Sequence, residues 1–272
     1  MWELILPLIS FLVGVVAAMT GIGGGVFIVP TLILLYGFEP AYASGTSIAM
    51  IVFTSLSSTL RYSRQKRIDY PLGLALASTT IPGAFLGSYA TSLINKQILG
   101  LIFAFFLIFV AARMLARKEG KEGERTTKIE GKGRIRKLVD SYGNTFTYSV
   151  NFLLIPILGL VAGFFSGLLG IGGGAVLVPA MNIVVGVPIH ITVATSMFIM
   201  IFTSISGTLT HLWLQHIKFD YAILLILGII FGAQIGAHYA AKVSAKNLRR
   251  IFGVVLLIAS IRMILKFTYL MP

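Results

Sequence analysis

The sequence predicts an all-α membrane protein built from two inverted-topology repeats, each a glycine-bent helical hairpin followed by three transmembrane helices. Three observations predict it: the chain is 57% hydrophobic and only 11% charged, a glycine-rich motif occurs twice, and basic loops swap places between the halves. A soluble domain usually carries about a quarter charged residues. Stretches 98–115, 191–214 and 221–241 approach the roughly 20 apolar residues that cross a bilayer. We therefore expect a multi-pass protein surrounded by lipid.

The positions of the charged residues argue for a membrane protein and against a nucleic-acid-binding protein. The net charge of +13 comes mainly from Lys and Arg in short loops between apolar segments, which is the positive-inside bias rather than a nucleic-acid-binding surface. The chain has no cysteine, which excludes disulfides and thiolate metal sites. We predict no metal, no cofactor and no nucleic-acid partner. The first apolar run, 4–19, lacks a basic region before it and a cleavage site after it, so we expect it in the mature fold.

A glycine motif marks an internal duplication. The segment GIGGGVFIVP at 21–30 recurs as GIGGGAVLVP at 170–179, and this agreement continues in order along the chain. The later matches are Thr-Ser at 46–47 and 195–196, FTSLS at 53–57 and FTSIS at 202–206, Gly-Ala at 83–84 and 232–233, and Arg-Met at 113–114 and 262–263. After a small insertion and a compensating deletion, Asp69 is expected to match Asp220. Self-similarity of this kind predicts repeated structural units.

The duplication divides the chain into a first membrane repeat, 1–117, a charged cytoplasmic connector, 118–145, and a second membrane repeat, 146–272. We expect the connector to be a solvated loop. Each repeat contains five apolar segments. They are 4–20, 26–36, 41–60, 70–92 and 97–116, then 147–169, 175–186, 190–214, 220–242 and 248–270. The second segment of each repeat is only about half a membrane long at about 1.5 Å per residue, which predicts a half-helix.

The loop charges indicate that the two repeats are inverted. Loop 61–69 has four basic residues and its counterpart 214–220 has one, whereas loop 93–97 has one and its counterpart 242–250 has four. Placing loop 61–69, the connector and loop 242–250 inside the cell satisfies the positive-inside rule. Both termini then lie outside, and the first two segments of each repeat form a hairpin, either re-entrant or fully spanning.

The glycine motifs predict a binding site for an anion. Three glycines in a row cost about 1 kcal/mol each in a helix, so the backbone should turn there. A turn at mid-membrane depth must face protein or a wet cavity. The half-helices that begin near Val26 and Ala175 would direct their N-terminal N–H groups into that cavity, which favours anions. The alternative is that the glycines only allow helices to pack closely.

Polar side chains near the turns complete the predicted site. Hydroxyl groups can donate to an anion without the cost of burying a charge, and Gln234, which lacks a like residue in the first repeat, could set specificity. His238 lies four residues away on the same helical face, whereas His190, His211 and His216 are expected in interfacial roles at segment ends. The predicted substrate-binding residues are Gly23, Gly24, Gly25, Thr46, Ser47, Gly172, Gly173, Gly174, Thr195, Ser196 and Gln234.

The paired GxGGG motifs, each followed by a proline (Pro30 and Pro179) and a Thr-Ser pair, resemble the TauE/SafE family of sulfite-exporter-like permeases. The resemblance covers essentially the whole chain. It implies a carrier in the prokaryotic cytoplasmic membrane for small anions, typically sulfur-containing ones such as sulfite or sulfonates like sulfoacetate. Substrate identity, import versus export, a coupling ion (H⁺ or Na⁺) and homo-oligomer formation stay open.

Three function classes compete at this point. A secondary transporter is favoured, because inverted hairpins around a midplane site are typical of alternating access and no GxxxxGK[ST] motif indicates ATP-driven pumping. An anion channel is the second class. An intramembrane hydrolase is the third, since Ser166 precedes a glycine and histidines are present. Ser166 corresponds to Ala17, however, and no carboxylate partner accompanies it. We therefore predict no catalytic residue.

Overall fold

The computed structural model describes residues 5–116, 134–240 and 246–269, and these residues are predominantly helical. The helices are α1 Leu6–Thr20, α2 Gly25–Leu35, α3 Pro40–Arg64, α4 Tyr70–Ala90, α5 Lys96–Ala116, α6 Ile155–Leu169, α7 Gly174–Pro179, α8 Ile189–Trp213, α9 Phe219–Tyr239 and α10 Lys246–Tyr269. A 3₁₀ turn, Phe152–Leu154, precedes α6, and a π-helical turn, Ala180–Val184, extends α7. Every predicted apolar segment contains a helix. Among the described residues, six helices are long and apolar enough to cross a membrane.

The second half repeats the helices of the first at a constant spacing. Helix α3 begins at Pro40 and α8 begins 149 residues later at Ile189, and α1, α2 and α4 have counterparts at the same spacing. The predicted match of Asp69 with Asp220 is therefore wrong. Asp69 precedes α4 and Lys218 precedes α9, so these two residues are equivalent and the loop needs no insertion. An Asp-Tyr pair that recurs two positions away misled the alignment.

The helices of the two halves pack across one another. Helix α1 packs along α9, α6 along α4, α3 along α8 and α5 along α10. Glycines allow the closest approaches: a Cβ at Gly232 would overlap the carbonyl of Phe11, and one at Gly83 would overlap the carbonyl of Leu160. Small residues have this role in membrane helix packing. The first helix of each half thus lies against the fourth helix of the other, and the core lies between the halves.

The end of the connector folds into an antiparallel β-hairpin. Its strands are β1 Arg134–Val139 and β2 Thr145–Val150. Alternate residues of β2 face the helices, so Tyr148 and Val150 are fully buried in a cluster with Leu72 of α4 and Met181 of the π-helical turn. The expectation of a loop is wrong for this part, although most residues of 134–145 are exposed as expected. Strand β2 spans the predicted boundary between residues 145 and 146. Connector residues 118–133 lie outside the described residues.

Candidate substrate site at the paired glycine turns

The backbone turns at both glycine motifs, as predicted. The first glycine turn, 21–25, joins α1 to α2, and the second glycine turn, 170–174, joins α6 to α7. In each turn three glycines have φ between 64° and 94°, a left-handed conformation that side chains disfavour. They are Gly21, Gly23 and Gly24, and Gly170, Gly172 and Gly173. The same backbone geometry therefore occurs at the same motif in each half.

The two glycine turns contact each other directly. A Cβ placed on Gly25 would overlap the carbonyl oxygen of Gly170, and one on Gly174 would overlap the carbonyl oxygen of Gly21. The contact is reciprocal, because each turn offers its last glycine to the first glycine of the other. Backbone therefore meets backbone at the centre of the protein in this conformation, with no room for a methyl group at either position.

A serine from each long helix closes the opposite turn. Ser47 Oγ on α3 donates to Gly170 O at 2.9 Å, and Ser196 Oγ on α8 donates to Gly21 O at 3.0 Å. Both serines are fully buried. Each predicted serine thus reaches the turn of the other half, where it satisfies the carbonyl at the end of a helix that would otherwise lack a partner.

The threonines beside these serines bind the loops rather than the turns. Thr46 Oγ1 accepts from the Lys218 amide at 3.1 Å, and Thr195 Oγ1 accepts from the Asp69 amide at 3.0 Å. Both threonines are fully buried. Lys218 is the N-cap residue of α9 and Asp69 is the N-cap residue of α4. Each threonine therefore binds the loop that precedes a helix of the other half to its own long helix. We name these two bonds the Thr46 latch and the Thr195 latch.

The side chains of Met200 and Ile51 lie between the middle glycines. A Cβ at Gly23 would be 2.8 Å from Met200 Sδ, and one at Gly172 would be 2.7 Å from Ile51 Cγ2 and 3.1 Å from Met200 Sδ. Methionine adapts its shape easily. The other predicted glycines, Gly24 and Gly173, instead face the first helix of their own hairpin. The space between the turns is therefore filled by side chains of the two long helices.

The structure does not bring Gln234 to the glycine turns. Its amide donates to Ser57 O at 2.8 Å, and Ser57 Oγ donates to Ile230 O at 2.8 Å. Gln234 therefore joins α9 to α3. The equivalent bond in the other half runs from Ser206 Oγ to Ile81 O at 2.9 Å. The expected neighbour of Gln234, His238, contacts Arg61 of α3.

His211 is the main residue that the sequence-based interpretation misplaced. The prediction of an interfacial role is wrong, because its side chain is fully buried. Its Nε2 lies 3.2 Å from Gly167 O, and the equivalent residue of the first half, Tyr62, donates to Ala18 O at 2.8 Å. The alignment of the repeats also pairs these two positions, at the constant spacing of 149 residues, so their equivalence was predictable and the burial of His211 was not.

Buried charges surround the loop between α3 and α4. Asp69 accepts from Tyr148 Oη at 2.6 Å and from Arg136, both on the hairpin, and Arg67 forms an ion pair with Asp140 at 2.8 Å. Burial, followed by the bond to Asp69, raises the pKa of Tyr148. Burial of Asp140 would raise the pKa of its carboxyl, but hydrogen bonds from Asn144, Arg67 and the backbone outweigh it and lower that pKa. The hairpin therefore docks on this loop through charged contacts.

A cavity of about 80 Å³ opens beside the first glycine turn. Its lining is largely apolar, with one hydroxyl from Thr20 and one cation from Arg113. Ile22 of the first turn and Ala175 of α7 also line it. The cavity thus reaches the first glycine turn and the start of α7 from the side of α5.

Comparisons with known proteins agree with this architecture. A family model described as sulfite exporter TauE/SafE matches residues 6–263. The probable membrane transporter protein YunE of Bacillus subtilis (strain 168) is 34% identical over 267 residues, covering 96% of each chain. The probable membrane transporter protein MJ0441 of Methanocaldococcus jannaschii is 26% identical over 281 residues, again covering 96% of each chain. No solved structure matches the chain significantly. With its membrane-spanning helices, this chain is a multi-pass membrane transporter protein and belongs to the sulfite exporter TauE/SafE family.

Proposed function

We propose that this chain is a secondary transporter of small anions in the prokaryotic cytoplasmic membrane, with sulfur-containing anions such as sulfite and sulfonates as its substrate class. It works by alternating access between two inverted repeats, residues 1–117 and 146–272. The observation that supports this most is the reciprocal contact of the glycine turns, each closed by a serine from the other half.

The two latches supply a physical basis for alternating access. The Thr195 latch holds the loop before α4, and the Thr46 latch holds the loop before α9. Four basic residues in loop 61–69 against one in loop 214–220 favour opposite sides of the membrane for these loops. Release of one latch opens a path from one side, while the other latch keeps the second side closed. Both latches are closed in the present conformation.

The anion occupies the space between the turns once they separate. Movement of Met200 and Ile51 frees the middle glycines, and the hydroxyls of Ser47 and Ser196 then exchange a carbonyl partner for an anion oxygen. A hydroxyl is a neutral donor that can rotate toward its acceptor, so the site attracts an anion without a buried positive charge. Gly23 and Gly172 allow the backbone itself to approach the ligand.

The hydrolase alternative gains no support from the geometry around Ser166. Its hydroxyl is buried and has no hydrogen-bond partner among the described residues, and the nearby His211 bonds to the Gly167 carbonyl rather than to the serine. A nucleophilic serine needs a base within hydrogen-bond reach. We therefore propose transport without chemical conversion of the substrate.

Counterflow in proteoliposomes tests this function. Vesicles preloaded with unlabelled sulfite or sulfoacetate should take up the labelled anion transiently and saturably. Ser47→Ala and Ser196→Ala should each raise the KM more than about tenfold, because a hydrogen bond to a charged group is worth about 1.5–3 kcal/mol. Ser78→Ala, at an exposed position on α4, is the matched control and should leave the KM unchanged.

Two outcomes contradict the proposal. Anion flux that does not saturate and shows no counterflow would indicate a channel. Normal KM values in both serine variants would mean that these hydroxyls only pack the helices.

A further inference from the structure

The imidazole of His211 is buried beside the Thr46 latch with one nitrogen unpartnered. Its Nε2 faces the Gly167 carbonyl at 3.2 Å. A carbonyl can only accept, so Nε2 carries the hydrogen and Nδ1 is the bare nitrogen. Among the described residues Nδ1 is buried without a hydrogen-bond partner. A buried polar atom without a hydrogen-bond partner costs about 1–3 kcal/mol of stability. A histidine that only filled space here would therefore destabilise the fold.

Imidazole, ammonium and hydroxyl groups lie around the pair formed by His211 and His216. The loop before α9 brings the ring of His216 to 5.6 Å, and it also brings Lys218, whose Nζ lies 5.0 Å from the ring of Tyr42 on α3. Thr91, the residue after α4, places its Oγ1 3.4 Å from His216 Nδ1, and α6 contributes the Gly167 carbonyl. These neighbours, in the described part of the chain, offer no carboxylate to balance a second proton on His211.

This pair of histidines lies beside both partners of the Thr46 latch. His211 Nδ1 lies against Gly45, the residue before Thr46, since a Cβ on that glycine would be 3.1 Å away. His216 lies two residues before Lys218, the residue whose amide Thr46 accepts, and its own amide donates to the His211 carbonyl at 2.9 Å. A change in the charge of this pair therefore acts directly on the latch.

We propose that His211 Nδ1 is a proton-binding site that opens the face of the transporter closed by the Thr46 latch. The inference rests on the proposed function, because it assigns a controlling ion to one of the two latches. A proton from water binds the lone pair of Nδ1 and forms an imidazolium with no acceptor in the closed state. When the loop before α9 opens, the imidazolium can donate a hydrogen bond to water or to the arriving anion. The open state thus binds the proton more tightly, so acid shifts the population toward it.

The absence of native cysteine allows a test that needs no substrate. Ser88 is fully buried near the end of α4, and its hydroxyl approaches Gly167 and Gly207, so Ser88→Cys places one thiol beneath this face. Leu93→Cys, at an exposed position of the same face, corrects for the pH dependence of the thiol reagent itself. Ala237→Cys is the matched control on the other face. The carbonyl of Ala237 accepts a hydrogen bond from the side-chain amide of Gln65, in the loop before α4.

The measured quantity is the labelling rate of Ser88→Cys divided by that of Leu93→Cys. We expect this ratio to rise up to about tenfold per pH unit between about pH 8 and pH 5.5, the limit for uptake of one proton. The ratio for Ala237→Cys should stay flat. In the His211→Gln background the rise should disappear, since glutamine still donates to the Gly167 carbonyl but does not titrate in this range.

His211→Tyr gives a second background if His211→Gln unfolds, because the equivalent Tyr62 makes the same kind of bond in the first half. A flat ratio with His211 intact, or an equal rise with and without it, would overturn the proton site. Neither result affects the counterflow test. Conversely, a protein without counterflow but with the histidine-dependent rise would refute the proposed function and leave the proton site standing.

Discussion

The loop before α4 and the loop before α9 have the same backbone but different side-chain chemistry. Each loop contains one non-glycine residue with a left-handed φ, Lys66 at 53° and Gln215 at 56°. Each also ends in an amide that donates to a threonine of the opposite long helix. The two loops thus share a main-chain conformation and a hydrogen bond from an amide to a threonine hydroxyl. Neither feature depends on the charge of the loop side chains.

The side chains at equivalent positions diverge. Where the first loop has Arg67 and Asp69, the second has His216 and Lys218. The hairpin covers the first loop and pairs with its charges, whereas the side chain of Lys218 is exposed and burial lowers the pKa of His216. The duplicated frame therefore carries fixed ion pairs at the loop before α4 and an imidazole and an ammonium group at the loop before α9.

The two loops are expected to lie on opposite sides of the membrane. Lys66→Cys and Gln215→Cys are the matched probes, since both positions are exposed and have the same backbone conformation. Gln65, one residue earlier, is buried and is a poor probe. We expect an impermeant thiol reagent to label the first variant only from inside the cell and the second only from outside.

This is the largest expected effect, because labelling is all or none. Labelling of both variants from the same side would mean that the repeats are parallel, and alternating access between inverted halves would then be excluded.

The second difference between the loops is the buried ion pair that only one of them has in the described structure. Asp140→Asn removes the partner of Arg67, whose side chain is 5% exposed, and a buried charge left without its partner costs about 3–5 kcal/mol. Melting of the purified protein in detergent should detect this loss. Glu39→Gln, which breaks the exposed pair with Lys96, is the control and should cost no more than about 1 kcal/mol.

Acid should reduce the same contribution. The pKa of Asp140 is lowered from its ordinary value of 3.8, so its stabilisation is complete above that value and is lost as the pH falls through the lowered pKa. The melting difference between the unsubstituted protein and Asp140→Asn should therefore shrink in that acidic range. A difference that is constant down to about pH 2 would show that the carboxylate charge does not stabilise the docked hairpin.

Much of the helical frame could be predicted from sequence because its signals are local. Apolar length locates the helices, and the glycine-rich motifs locate the turns, since glycine adopts the observed φ values at the lowest cost. The sequence also predicts the Thr-Ser pairs of the long helices as substrate-binding residues, and that role stays a prediction. Their actual partners could not be predicted, because Ser47 and Gly170 are 123 residues apart and meet only through the packing of the two halves.

The hairpin and His211 escaped prediction for different reasons. Strand β2 alternates apolar and polar residues over only six positions, and the adjoining apolar segment absorbed it into a longer predicted helix. His211 lies near the end of α8, and its position in the sequence therefore predicts that it faces the membrane–water interface. In the structure, α3 and α6 cover it instead. Gln234 was selected for its difference from Phe85, but a difference between repeats also arises at an ordinary helix contact such as α9 with α3.

The smallest expected effect tests whether the two contacts between the glycine turns are energetically equivalent. Gly24 is a poor position for this test, because its φ of 94° strains any side chain and it faces Val13 of its own hairpin. Gly25 and Gly174 are better, since their φ values are not left-handed and an added methyl would meet only the opposite turn and its neighbours.

We expect Gly25→Ala and Gly174→Ala each to cost about 1–3 kcal/mol of stability, the usual range for overpacking a core, measured by melting without ligand. Each methyl would push against a carbonyl of the other turn, so the two losses should agree within about 0.5 kcal/mol, and the double variant should lose less than their sum because one displacement relieves both clashes. Equal losses that add fully would instead mean that the two contacts are independent, and that the turns do not separate as a single unit when the substrate site opens.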